Sequence, residues 1–202
     1  MHAVRQPVSD LTESDLRAMR FKDLMALFGR LPAPSLQDMD GEFAAGLLAQ
    51  PNAVAQVIGH LTVNNPLMPG RWLCKAFKPV SADRGQGYNS FAHLGRTVRR
   101  YPMQTLIAPS RYDGRPAYTL VYAAFSSMCG AIHMVDEVRR VAPGLYLGIG
   151  TWGFTDGQRQ VPLPFVLRGP IAPYAGHIGR RKQGFNVYQE IPALRHTARQ
   201  KG

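Results

Sequence analysis

Ala117-Tyr118-Thr119-Leu120-Val121-Tyr122-Ala123-Ala124-Phe125 is the stretch that decides the fold. Read as a strand, it turns Tyr118, Leu120 and Tyr122 to one side and Val121 and Phe125 to the other, because side chains along a strand alternate. Both sides are apolar. A strand covered on both sides fits a barrel filled by side chains or by a ligand. Just before it, Asp113-Gly114 is a strong hairpin signal. Further short runs at 72–77, 88–94, 97–107, 145–154 and 162–167 read as strands spaced about ten residues apart with turn signals between them. Pro102 demotes the middle of its run to an edge or a bulge, and Asp156-Gly157 is a second hairpin signal. Residues 131–141 read as strand or short helix; as a helix, His133, Glu137 and Val141 share a face. No helix-length segments alternate with these strands, which disfavours a parallel α/β fold.

Upstream, residues 12–30 read as helical, with Thr12 or Ser14 as cap and Leu16, Met19, Leu24, Leu27 and Phe28 as an apolar stripe. Gly29 and the Pro32–Pro34 pair end it. Residues 42–48 are read as a strand, since a helix there would carry Gly41 and Gly46 at a cost of about 1 kcal/mol each. Residues 52–61 read as a helix over a barrel end. The expectation is mainly β: a calycin-like antiparallel β-barrel at 35–168, a helical extension at 1–34 and an irregular, basic, Pro- and Gly-containing tail at 169–202.

Composition agrees. The 202 residues are 45% apolar and carry 20 glycines and 16 prolines, which suits a globular, turn-rich chain and excludes a coiled coil. Lys plus Arg number 24 against 13 acids, so the net charge is +11 because acids are scarce. The basic runs Arg96, Arg99, Arg100 and Arg180-Arg181-Lys182 lie beside Tyr101 and Phe185, a combination that could serve phosphates and bases. No helix-turn-helix, RNP or KH pattern accompanies them, so nucleic acid is disfavoured as partner. No apolar run approaches the ~20 residues of a spanning helix, and the N-terminus has no signal core. A cytoplasmic location is expected.

Gly41-Glu42-Phe43-Ala44-Ala45-Gly46 and Gly70-Arg71-Trp72-Leu73-Cys74-Lys75-Ala76-Phe77 together resemble the two-part GXWXG family of bacterial domains. That family has a Gly-x-aromatic strand, then a Trp-x-Gly-Lys-x-Phe strand and a small β-meander. It is similar to calycins, the barrels of lipocalins and fatty-acid-binding proteins, in which a Gly-x-Trp pair closes one end. Here Phe43 stands where the first Trp is expected and Cys74 where the second Gly is expected. The resemblance spans residues 38–169. It implies a barrel, a bend at the glycine and an aromatic seal. It does not imply an enzyme.

Two groupings could carry chemistry. His133, Asp136 and Glu137 follow the strongest strand closely, and a carboxylate beside His could fix its tautomer for general-base work. The ordinary alternative is that Asp136 and Glu137 pair with Arg139, Arg140 or other bases. A Cys129–His133 nucleophile–base pair competes poorly, since apolar surroundings raise a thiol's pKa. Around a pocket mouth, Tyr88, Arg111 and Tyr112 could hold a carboxylate head group, with Trp72, Tyr118, Tyr122 and Trp152 as apolar lining. Against this, Arg111 could simply lie in solvent beside a hairpin. The glycine-rich 83–88 lacks a phosphate-loop Lys and reads as a mobile loop. Cys74 and Cys129 read as buried thiols, no metal-ligand spacing occurs, and no cofactor is expected.

The leading expectation is therefore a binder of a small apolar or amphipathic molecule, such as a lipid, terpenoid or polyketide. The alternative is a cofactor-independent isomerase, cyclase or hydrolase in the same cavity. An interaction protein using its basic surface is a third reading, and a homodimer is left open.

Overall fold

Strand pairing closes on itself in the computed structural model, which describes residues 10–65, 69–151, 153–155, 157–191 and 193–194. The strands are β1 Gly41–Leu47, β2 Asn64–Asn65, β3 Gly70–Pro79, β4 Gly85–His93, β5 Arg96–Pro109, β6 Pro116–Val121, β7 Val135–Ala142, β8 Leu145–Gly150 and β9 Leu163–Ala172. From β3 to β9 each strand pairs with the next as an antiparallel meander, and β1 bridges β9 and β3. The result is a closed eight-stranded antiparallel β-barrel, with β2 as a short flap on β3. The glycines that open β1 and β3 combine a positive φ with a close backbone approach. Gly41 has φ +122 and a Cβ there would lie 2.8 Å from Ala172 O; Gly70 has φ +109 and a Cβ would lie 2.5 Å from Ala92 O. Only glycine takes such backbone without strain.

The barrel is apolar inside and, over part of its wall, outside. One end of the interior is filled by Phe43, Phe77, Tyr118 and Tyr146. Their rings contact edge-on or tilted, with centroids 5.4–5.7 Å apart. The outer wall of β8 and β9 is covered by α1 Glu13–Ala18 and α2 Phe21–Phe28, through Leu16, Leu24, Leu27 and Phe28. A second outer area, around Leu106, Val121 and Val135, is covered by Val187 and Ile191 of the tail. This explains why β6 is apolar on both faces.

Several expectations need correction. The N-terminal helical segment is two helices: Met19 leaves helical geometry at ψ 143, and Thr12 with Asp15 forms a capping box on the first. The break lets both short apolar faces follow a curved wall. The strand expected to run to Phe125 stops at Val121, passing into a 3-10 turn at Tyr122–Ala124. The ambiguous 131–141 splits between α4 Met128–Ala131 and β7, so His133, Glu137 and Val141 share no helical face. The glycine-rich 85–88 is not a loop but the start of β4. The helix expected at 52–61 is α3 Ala53–Val63. Pro102 does sit at a bulge: the β4–β5 register slips between Gly87 and Asn89, opposite Tyr101 with φ +55. In the tail, Lys182 N–H donates to Ala124 O at 2.9 Å, which holds that segment against the barrel. Asp156 of the second hairpin signal lies outside the described residues.

Arg139 pins α2 to the barrel. Its side chain is fully buried, and its guanidinium is bidentate to Asp113 at 2.6 and 2.7 Å. It also donates to Phe28 O, Pro116 O and Arg115 O.

Candidate functional site

A one-residue bulge sets up the interior site. Between Trp72 and Cys74 the β3–β4 register slips. Strict alternation would put Trp72 and Lys75 on opposite faces. The extra residue re-aims the strand, so that Trp72, Lys75 and Phe77 all face inward. From β4 comes Asn89, from β7 Asp136, and Tyr122 follows directly from β6.

These side chains surround a chamber of about 180 Å³. Trp72, Phe91, Tyr101, Met134 and Phe165 supply apolar wall. Gln50, Lys75, Asn89, Asp136 and Thr151 are its polar members. Residues Gly59 and Val63 of α3, with Met128 and Phe154, border it as well. Met128 and Phe154 are exposed, so part of the chamber's border is apolar and reaches the surface.

At the chamber wall the polar groups form one network. Lys75 Nζ donates to Tyr122 Oη at 2.6 Å, Asp136 Oδ2 at 2.9 Å and Asn89 Oδ1 at 3.1 Å. Tyr122 Oη donates to Asp136 Oδ2 at 3.0 Å and accepts from Asn89 Nδ2 at 3.3 Å. Trp72 Nε1 donates to Asn89 Oδ1 at 3.2 Å. The Lys75 ammonium also lies 5.2–5.3 Å from the ring centroids of Trp72, Tyr122 and Phe165, within cation–π range. Lys75 and Asp136 are almost completely buried. Burial, and then the Asp136 carboxylate, push the Tyr122 hydroxyl well above the ordinary phenol range, so it acts as a neutral donor and acceptor.

The expected site residues go to different places. Asp136, Trp72 and Tyr122 line the chamber. Tyr118 is interior but sits in the filled end, donating to Thr105 Oγ1 at 2.9 Å. Glu137, adjacent to Asp136 on a strand, faces the other way. It accepts from Ser110 Oγ and, at 3.0 and 3.1 Å, from Arg111 N and Nε. Arg111 is thereby engaged in the wall, where it also donates to Val135 O and Arg159 O, and is neither in solvent nor at the chamber. Tyr112 packs edge-on against Phe28 on the outer side. Tyr88 donates to Glu42 Oε1 at 2.7 Å and stacks on Tyr174 under the tail. His133 lies in the turn before β7, its side chain 42% exposed, with Nδ1 2.8 Å from Glu190 Oε2. The structure therefore does not bring His133, Asp136 and Glu137 together. Trp152 lies outside the described residues. Lys75 was missed as a site residue, although a lysine inside the aromatic run Trp72–Phe77 was the available signal.

Both cysteines are free and buried. Burial pushes the Cys129 thiol up to about 12 and the Cys74 thiol up to about 11. Neither is a thiolate near neutral pH. A thiol-reactive chromogenic disulfide should titrate no thiol in the native protein within minutes and both in guanidinium. Fast native reaction of Cys129 would show that the chamber admits the reagent and stabilises a thiolate.

Among the described residues no group of three or more His, Cys, Asp or Glu could hold a metal ion, and no helix is long and apolar enough to cross a membrane. No family model matches the chain, and no curated protein matches it. A solved structure described as a protein from Thermomonospora curvata superposes with a TM-score of 0.49 at 16% identity, over 74% of this chain and 87% of that chain.

Proposed function

We propose that this protein binds a small, compact, largely apolar molecule in the barrel chamber, with the ligand's polar end against Lys75, Asp136, Tyr122 and Asn89. One observation carries the reading: a buried ion pair and its hydrogen-bond network converge on a chamber that is otherwise apolar. A few convergent polar groups in an apolar pocket are the usual make-up of a ligand site. A packed apolar filling would stabilise the fold as well or better than a buried Lys–Asp pair, so stability alone does not account for it.

Size narrows the ligand. An engineered apolar cavity of about 150 Å³ holds one benzene, and this chamber is about 180 Å³. One ring or a short branched chain fits; a longer tail must leave through the opening beside α3. The resemblance of the Gly41 and Gly70 segments to GXWXG domains, and through them to calycins, supports an interior ligand. No observation favours the hydrolase, cyclase or isomerase reading on His133, whose ring pairs with Glu190.

Toluene tests the chamber directly. A ligand that binds only the native state raises its unfolding temperature. Saturating toluene should raise the midpoint of the wild type and leave Ile132→Trp, which fills the chamber wall with an indole, unmoved. No rise in the wild type, or an equal rise in both, would refute the proposal. Native mass spectrometry of freshly purified protein would then look for a co-purifying small molecule.

A further inference from the structure

We infer that the chamber selects uncharged molecules that donate a hydrogen bond from a hydroxyl, such as a phenol or a small alcohol, and rejects carboxylates. The inference rests on the binding function proposed above and names the class of its ligand.

It follows from which polar valences are already engaged. A lysine ammonium has three N–H donors and no acceptor. Those of Lys75 reach Tyr122, Asp136 and Asn89, so none remains for an anion. Tyr122 Oη accepts twice and donates once, and Asn89 Oδ1 accepts twice. Asp136 Oδ2 accepts from both Lys75 and Tyr122. Two acceptors on chamber-lining residues are left over: Asp136 Oδ1 and Gln50 Oε1, both buried and without a hydrogen-bond partner among the described residues. Gln50 is held in this orientation, because its Nε2 donates to Leu48 O at 2.7 Å and Pro164 O at 2.9 Å. Its carbonyl oxygen is the atom left free. Within the Lys75 network the one donor still available is the second N–H of Asn89 Nδ2.

A buried acceptor without a partner is costly, and a carboxylate guest would add repulsion to that cost. A hydroxyl does the reverse: it donates to Asp136 Oδ1 and accepts from Asn89. This departs from the head-group reading of Arg111, which is engaged in the outer wall.

The experiment compares p-cresol, 4-methylanisole and p-toluate with toluene, all built on one methyl-substituted benzene ring, by calorimetric titration of the full chain at neutral pH. A hydrogen bond to a charged acceptor should make p-cresol bind about tenfold or more tighter than 4-methylanisole, which only accepts. p-Toluate should bind more weakly than toluene. Equal affinity of p-cresol and 4-methylanisole, or preference for p-toluate, would overturn the inference while toluene binding leaves the chamber itself standing. If toluene fails to bind, it is the binding function that falls. Gly150→Ala localises the effect. Its Cβ would lie 3.3 Å from Asp136 Oδ1 and 3.6 Å from Leu163 O, with no other atom nearer than 3.8 Å. It crowds the free oxygen and leaves the Lys75 side of Asp136 untouched. The p-cresol preference should disappear in this variant while toluene still binds. A preference that survives would show that Asp136 Oδ1 is not the acceptor. Should the variant fold poorly, the wild-type series decides the question without it.

Discussion

Arg139→Ala should lower the unfolding free energy by about 3–5 kcal/mol, the usual result of removing one partner of a buried ion pair. All five guanidinium donations are made in a fully buried position: two to Asp113 and one each to Phe28 O, Pro116 O and Arg115 O. The guanidinium also lies 4.6 Å from the Phe28 ring centroid. Its loss leaves three carbonyls and a carboxylate short of donors, and it frees α2 from β7. Arg139→Lys should recover only part, because an ammonium cannot reproduce the planar fork. Acid sensitivity follows the same pair. Hydrogen bonding from Arg139 holds the Asp113 carboxyl below the usual carboxylate range. A group with a depressed folded pKa stabilises above its unfolded pKa and loses that contribution as pH falls through the folded value. The wild type should therefore lose this part of its stability below about pH 4, and Arg139→Ala should lack that component. The exposed Arg17–Glu13 pair is the control: Arg17→Ala should cost under about 1 kcal/mol. Urea midpoints at several pH values measure all of this. A cost for Arg139→Ala as small as that for Arg17→Ala would show that the guanidinium does not tie the helix to the barrel.

The barrel was legible where local chemistry and global pattern agreed. Gly114, with φ +70, turns the β5–β6 hairpin that Asp113-Gly114 announced. Pro102 marked a bulge because it cannot donate to the ladder. The two apolar faces of 117–121 were real, one lying on the interior core and the other on the tail. What sequence could not supply was which residues meet. His133, Asp136 and Glu137 are close in the chain, yet the backbone turns before β7, and neighbours on a strand point apart. Arg111 meets Glu137 only because β5, β6 and β7 lie side by side. Lys75 faces inward through a bulge at 72–74, an irregularity that alternation in the sequence does not display. The helix break at Met19 answers to the curvature of a wall formed far downstream.

Lys75→Met should also cost about 3–5 kcal/mol, since it leaves Asp136 buried without its cation. Asp136→Asn should cost a similar amount by stranding the ammonium. The double variant, Lys75→Met with Asp136→Asn, should recover to within about 1–2 kcal/mol of the wild type, because removing both partners of a buried pair together is often close to neutral. Shape is nearly kept: methionine follows the lysine stem, and the carboxamide oxygen that replaces the Asp136 carboxylate still accepts from Tyr122. The apolar wall of Trp72, Phe91 and Phe165 is unaltered, so toluene should still raise the double variant's midpoint. The preference for p-cresol over 4-methylanisole should collapse, since the charged acceptor is gone. That combination would separate the proposed recognition role of this pair of side chains from its role in stability. If the double variant is instead as unstable as either single one, the network is there to hold the barrel together. If it keeps full p-cresol preference, recognition does not depend on the Asp136 charge. Recovery of stability together with loss of selectivity is the outcome expected of a barrel that keeps a buried charge pair to recognise a guest.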